Sequence, residues 1–261
     1  MISIRGLTRR FGELCAVDRL SLEVAAAEIF GLVGRNGAGK TTTIKMLTTL
    51  LPPTSGTARI AGYDIAKQAR EVRSVIGYVP QALSADGELT GYENLLVFAR
   101  LYDIPRAERS QRIAEALHFM ELDDAAGRMV RSYSGGMIRR LEIAQSTLHR
   151  PKVLFLDEPT VGLDPLARHA VWEHIKRLNR DLGTTVVVTT HYMDEAEALC
   201  HRIAIMHRGA LAAVDSPQAL KSVAGRGATL DDAFERFTAG AEGETTYAET
   251  ATTRRTAGRL G

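Results

Sequence analysis

Eight residues, GRNGAGKT from Gly34 to Thr41, follow an apolar run and precede a stretch of helical character. Small residues at this spacing let the backbone curl, so that N–H groups of the turn and of the helix start converge on one point. A loop of Gly34, Arg35, Asn36, Gly37, Ala38 and Gly39 built this way suits phosphate oxygens. Lys40 would reach the outer phosphates, and Thr41 would offer its hydroxyl to Mg²⁺. A second run, VLFLDE from Val153 to Glu158, buries four apolar residues and then releases two acids. Asp157 is placed to hold Mg²⁺, and Glu158 to orient and deprotonate a water attacking the terminal phosphate. That chemistry is nucleoside triphosphate hydrolysis. A phosphoryl transfer to a substrate hydroxyl would not need an acid directly after the Mg²⁺-binding Asp.

The segment SYSGGMIRRLE, from Ser132 to Glu142, raises a different question, because two glycines open a helix they favour poorly. Ser134 is a good N-cap, and the first turn behind it has unpaired N–H groups at the positive end of the helix dipole. Two readings stay open from the residues alone. The pair either serves a tight capped turn, or admits an anion to the helix start and covers a nucleotide held by a second copy.

These residues need a scaffold. Apolar patterning predicts strands at Ile2–Leu7, near Leu20–Val24, in EIFGLVG up to Gly34, and around Ala58–Ile60. Further strands are expected at VIGYV, KVLFLD, TTVVVTT and HRIAIMH, with helices at 40–50, 66–73, 166–182 and 192–199. The uninterrupted apolar character of VLFL and TVVVT fits strands covered on both faces of a mostly parallel sheet. Between Tyr92 and His149 the pattern is helical throughout, broken at Ile104 and Pro105, which suggests a subdomain. Near the end, LDDAFERFTAG reads as a short helix packed by Phe234 and Phe237. The Thr-, Gly- and Ala-rich residues after it read as a disordered tail.

Composition narrows the function classes. Of 261 residues, 45% are hydrophobic, enough for a sizeable core, and the net charge of +2 is too mild to argue for nucleic acid. No stretch of apolar residues is long enough to span a membrane, and no signal peptide is evident. The two cysteines and seven histidines fall without metal-ligand spacing, so no metal other than Mg²⁺ is expected.

The ordered set of motifs over residues 1–216 resembles the nucleotide-binding ATPase subunit of ABC transporters. GRNGAGKT is similar to the Walker A loop, VPQ ends at the Q-loop glutamine Gln81, and YSGGM resembles the signature. VLFLDEP matches Walker B, GLDP supplies the D-loop Asp164, and TTH ends at the switch histidine His191. The resemblance implies an α/β P-loop NTPase fold with a RecA-like core, an N-terminal antiparallel β subdomain and an inserted helical subdomain. It further implies that Phe11 stacks on adenine, Thr42 donates to the α-phosphate, and Gln81 senses Mg²⁺ and the attacking water. His191 would contact the γ-phosphate, and Ser134, Gly135 and Gly136 would face the γ-phosphate bound by the opposite subunit. One departure stands out: the usual LSGGQ is YSGGM here, so Met137 cannot make the amide contact of the family's glutamine.

Domain expectations follow: an ATPase domain over 1–220 with its helical subdomain at about 84–150, a helical extension at 221–240, and a tail at 241–261. The cofactors implied are ATP and Mg²⁺. The partners implied are a second ATPase copy and a separately encoded transmembrane permease, placing the chain peripherally on the cytoplasmic face of the cell membrane. YSGGMIRRLEIAQ and the stretch after His191 are similar to the daunorubicin and doxorubicin resistance branch of exporters. A soluble ABC-type ATPase acting on nucleic acid or the ribosome, and an importer ATPase, are the alternative readings.

Overall fold

The computed structural model describes residues 1–239. The chain opens with a hairpin of β1 (Ile2–Phe11) and β2 (Leu14–Val24), whose tip pairs Phe11 with Leu14. Both strands are longer than their apolar pattern predicts. Register shifts between Ile4 and Arg10 interrupt the alternation, so the polar outer half of the hairpin carries no period-two signal. Next come β3 (Ile29–Val33), α1 (Lys40–Leu47), β4 (Ser55–Ile60), the two-residue β5 (Tyr63–Asp64), α2 (Ala69–Val75) and β6 (Ile76–Val79). Strands β2, β1, β4 and β5 form an antiparallel sheet in that order.

After β6 the chain turns helical, with α3 (Gly91–Leu101), α4 (Arg106–Phe119) and α5 (Gly135–Thr147) joined by loops and two short 3₁₀ turns. Two of these three helices start on a side-chain cap. Thr90 and Glu93 form a reciprocal capping box on α3, and the Ser134 hydroxyl accepts from the Met137 amide on α5. The remainder alternates: β7 (Val153–Asp157), α6 (Pro165–Leu182), β8 (Thr185–Thr190), α7 (Met193–Leu199), β9 (Arg202–His207) and β10 (Ala210–Asp215). The described chain ends with α8 (Pro217–Ala224) and α9 (Leu230–Ala239).

Strand β10 has no counterpart among the expected elements, and helix α8 begins ahead of the helical extension expected at 221–240. ALAAVD is short and nearly uniform, and it becomes a strand only by pairing antiparallel with β9. Helix α8 is an amphipathic stretch only two turns long, capped by Ser216 through the Ala219 amide and with Pro217 in its first turn. Helix α9 buries Leu230, Ala233 and Phe234 against the main core, with Phe237 packed beside them. The expected tail at 241–261 lies outside the described residues, as does Gly240.

The second sheet runs β10-β9-β3-β8-β7-β6, parallel throughout except for the β9–β10 pair. Alternation along its strands feeds two separate cores. Ile29, Val33, Leu154, Leu156, Val186 and Val188 face the cluster of α3 to α7, whereas Phe30, Leu32, Phe155 and Val187 face the antiparallel sheet and α1. Burial on both sides explains why β3, β7 and β8 are apolar without alternation. Because β3, β8 and β7 are adjacent and parallel, their carboxyl ends emerge side by side, the usual place for a ligand on such a sheet.

The two phenylalanines at opposite extremes of exposure test this layout. Phe155 is fully buried and Phe11 is 45% exposed. In urea unfolding, Phe155→Ala should cost about 3–5 kcal/mol through the cavity it leaves, and Phe11→Ala less than about 0.5 kcal/mol. Equal losses would contradict the assignment of Phe155 to a core between the two sheets.

Candidate active site

Strand β3 runs into the loop 34–39 and then α1. Gly39 caps that helix with φ +100°, and a Cβ there would fall 2.5 Å from the Ala16 carbonyl oxygen, so only glycine fits. Arg35, Asn36 and Gly37 are exposed, Ala38 is buried, and Thr42 is half-buried on the first turn of α1. Lys40 is almost wholly buried. Its ammonium donates to the Gly34 carbonyl at 2.7 Å and lies 3.1 Å from Glu158 Oε1.

Two acids follow β7. Asp157 Oδ1 accepts from the Thr41 hydroxyl at 3.1 Å and from the Thr189 hydroxyl at 2.5 Å. Glu158 departs from the strand in a left-handed conformation, φ +51°, which a residue with a Cβ adopts at some cost. Its amide is held by the Thr189 carbonyl and hydroxyl, at 3.1 and 3.0 Å. The same turn carries its carboxylate between Lys40 and His191, whose Nδ1 stands 2.7 Å from Oε2. His191 arrives from the end of β8 and packs against the ring of Tyr192. Next to this cluster the phenol of Tyr78 is pushed up to about 12, by burial first and by the charge of Asp157 second.

The predicted residues thus fall into groups. Gly34, Lys40, Thr41, Asp157, Glu158 and His191 are joined by direct contacts. Ser134, Gly135, Gly136 and Asp164 form another group on α5 and α6, and among the described residues no hydrogen bond or ion pair links it to the first. Ser134 is exposed and Asp164 caps α6 through the Ala167 amide at 2.9 Å. The glycine pair has an internal reason as well: a Cβ on Gly136 would come 2.8 Å from the Ala167 Cβ, and one on Gly135 3.2 Å from Leu163. Tyr133 is buried and donates to the Ala125 carbonyl at 2.6 Å, while Met137 packs against the main core. Gln81 is exposed, and the guanidinium of Arg9 sits 4.5 Å from the centre of the Phe11 ring.

Two further residues surround the acids. Thr189, in the TTH stretch at the end of β8, bridges both acids through its hydroxyl, and nothing in the sequence sets it apart from Thr185 and Thr190 on the same strand. Glu195, fully buried on α7, accepts from Thr160 at 2.8 Å and from Trp172 at 3.0 Å. Burial raises its carboxyl above the ordinary range.

The donor set fits the groups the motifs imply. A hydroxyl and a carboxylate 3.1 Å apart are hard oxygen ligands of the kind Mg²⁺ accepts alongside phosphate and water. Glycine at position 39 is demanded by its left-handed backbone and by close packing on the Ala16 carbonyl, which turns the loop into α1 beside the buried ammonium of Lys40, a cation suited to phosphate. Fold and site together define an ATP-hydrolysing P-loop protein with an N-terminal β subdomain and a helical subdomain.

Comparison with known proteins carries this further. The sequence pattern of the family described as "ABC transporter" matches residues 17–161. The chain is 46% identical over 224 residues to the daunorubicin/doxorubicin resistance ATP-binding protein DrrA of Streptomyces peucetius, covering 86% of this chain and 68% of that protein. It is 44% identical over 212 residues to the Nod factor export ATP-binding protein I of Paraburkholderia xenovorans, covering 81% and 69%. A solved ATP-binding subunit of an ABC transporter superposes with a TM-score of 0.80 at 29% identity, over 91% of this chain and 99% of that one. A dimeric ATP-binding cassette in a post-hydrolysis state with ADP and phosphate gives 0.73 at 27% identity, over 83% and 98%. The chain belongs to the ABC transporter family, as an ATP-binding and ATP-hydrolysing domain.

Thr189→Val tests the bridge between the acids, since it keeps the shape and removes the hydroxyl. Losing this support should raise the Mg²⁺ concentration for half-maximal ATPase activity about tenfold. An unchanged Mg²⁺ titration would show that Asp157 needs no help from Thr189.

Proposed function

We propose that two copies of this chain clasp two ATP molecules at their shared face and so power a separately encoded membrane permease that exports drug-like or hydrophobic compounds. The observation that carries this reading is the placement of Glu158 between Lys40 and His191, beside the Thr41–Asp157 pair. The loop 34–39, Lys40, Thr41 and Thr42 would bind the phosphates, with Phe11 on the adenine. Held by Thr41, Asp157 and Gln81, Mg²⁺ would neutralise charge on the phosphate oxygens. Glu158 takes a proton from water as the water oxygen bonds to the γ-phosphorus and the bond to the β-phosphate oxygen breaks. Lys40 and His191 then face the charge that develops, as do Ser134, Gly135 and Gly136 of the other copy, with Asp164 close to the interface.

Support for export comes from the names of the relatives, one tied to drug resistance and one to Nod factor export. The dimeric solved relative supports pairing of two copies. Among the described residues no helix is long and apolar enough to cross a membrane. A peripheral position on the cytoplasmic face beside a permease accommodates that.

Glu158→Gln should keep ATP affinity, lower steady-state hydrolysis at least about a hundredfold, and shift the protein to a dimer when ATP and Mg²⁺ are present. Unchanged turnover would remove the base role, and a monomer at saturating ATP would remove the clasp. Lys40→Ala should weaken ATP binding by titration calorimetry, about tenfold or more, because it deletes a buried charge aimed at the phosphates. For the cargo, ATPase activity of the complex reconstituted with its permease should rise with drug-like hydrophobic compounds. A response to polysaccharide alone would replace that part of the proposal.

A further inference from the structure

Helix α5 begins at Ser134 and carries two charged side chains almost out of reach of water, Arg139 and Glu142, 3% and 1% exposed and 3.0 Å apart. Their partners lie elsewhere in the chain. Arg139 donates from Nη1 to the Pro80 carbonyl at 2.8 Å and from Nη2 to the Gln81 carbonyl at 3.0 Å. Glu142 Oε1 accepts from the Ser84 amide, from the Ser84 hydroxyl at 3.0 Å and from the Ala85 amide at 3.4 Å. The segment 80–85 is therefore strapped to α5 on both sides of Gln81. A second layer extends the strap: Gln145 donates to Asn94 Oδ1 at 3.2 Å, and Asn94 holds the amide and carbonyl of Asp86, both at 2.9 Å.

A buried ion pair is a poor device for stability alone, since two apolar side chains of similar volume would hold a helix as well or better. What apolar groups could not do is fix four backbone atoms of an irregular loop in direction as well as in distance. We propose that Arg139 and Glu142 are positioning residues that make the Gln81 segment and the Ser134 helix start one moving part. Arg139 lies five residues along α5 from Ser134, about 7.5 Å at the helical rise, with no joint between them. A displacement of the helix start toward a nucleotide then appears at Gln81 undiminished, and a displacement imposed on the Gln81 segment returns to Ser134. This rests on the roles given to Ser134 and Gln81 in the proposed function.

Hydrogen exchange and kinetics on the full chain separate the possibilities. Arg139→Met should speed amide exchange at Ser84 and Ala85 about tenfold or more while leaving the middle of α3 unchanged. It should also lower kcat about tenfold and leave the KM for ATP within about twofold, because the Lys40 loop is untouched. Arg139→Lys, which keeps the charge but not the fork, should recover part of kcat. Glu142→Gln retains acceptors for Ser84 and Ala85 and tests the ion pair should Arg139→Met fail to fold; it too should lower kcat with KM preserved. Faster exchange in Arg139→Met with kcat unchanged in both variants, or unchanged exchange in Arg139→Met, would overturn the proposal. Absence of ATP hydrolysis by the unsubstituted chain would instead sink the functional reading, and the exchange result would still decide whether the strap exists.

Discussion

Two carboxylates, Asp157 and Glu158, stand side by side and almost wholly buried where β7 ends. Left uncompensated, such a pair would cost several kcal/mol in desolvation and mutual repulsion. The surrounding structure supplies the compensation from three directions. Helix α1 brings Lys40 and Thr41, β8 brings the Thr189 hydroxyl, and the turn after β8 brings His191. None of these groups is near the acids in sequence, so the strand order β3-β8-β7 is what makes the cluster possible. The division of partners also separates the acids chemically. Asp157 keeps to neutral hydroxyls, leaving its charge for a cation, while Glu158 is shared between an ammonium and an imidazole.

Helix α5 meets a second constraint. Its first turn is exposed at Ser134 and Gly135, yet Gly136 must pass close to Ala167 at the start of α6. The glycine pair therefore has a packing role within the chain, while Ser134 and Gly135 stay exposed at the helix start. Farther along, the helix is anchored through its polar residues to the loop that follows β6. Helical region and loop thus meet at charges and hydrogen bonds with fixed directions.

Much of the fold and of the reactive cluster could be read directly from residue order. GRNGAGKT and VLFLDE are legible because their steric and chemical demands are local: a glycine that must be left-handed, a hydroxyl beside a lysine, acids at the mouth of an apolar strand. Contacts that span the chain leave no such trace. Thr189 meets Asp157 across 32 residues and Arg139 meets Pro80 across 59, and one threonine of a pair or one arginine of a pair does not name its partner. The hairpin tip and β10 escaped for a related reason. Bulges erase the alternation of one, and the other gains its identity only from its neighbour.

Closure around ATP and the force it would deliver require that the two groups of site residues meet across copies of the chain. A structure of the Glu158→Gln protein with ATP and Mg²⁺ measures this most directly. The expected result is a two-fold dimer in which the Ser134 hydroxyl and the Gly136 amide lie within hydrogen-bonding distance of a γ-phosphate held by Lys40 of the other copy. A γ-phosphate touched only by residues of its own chain, with Ser134 facing solvent, would contradict it.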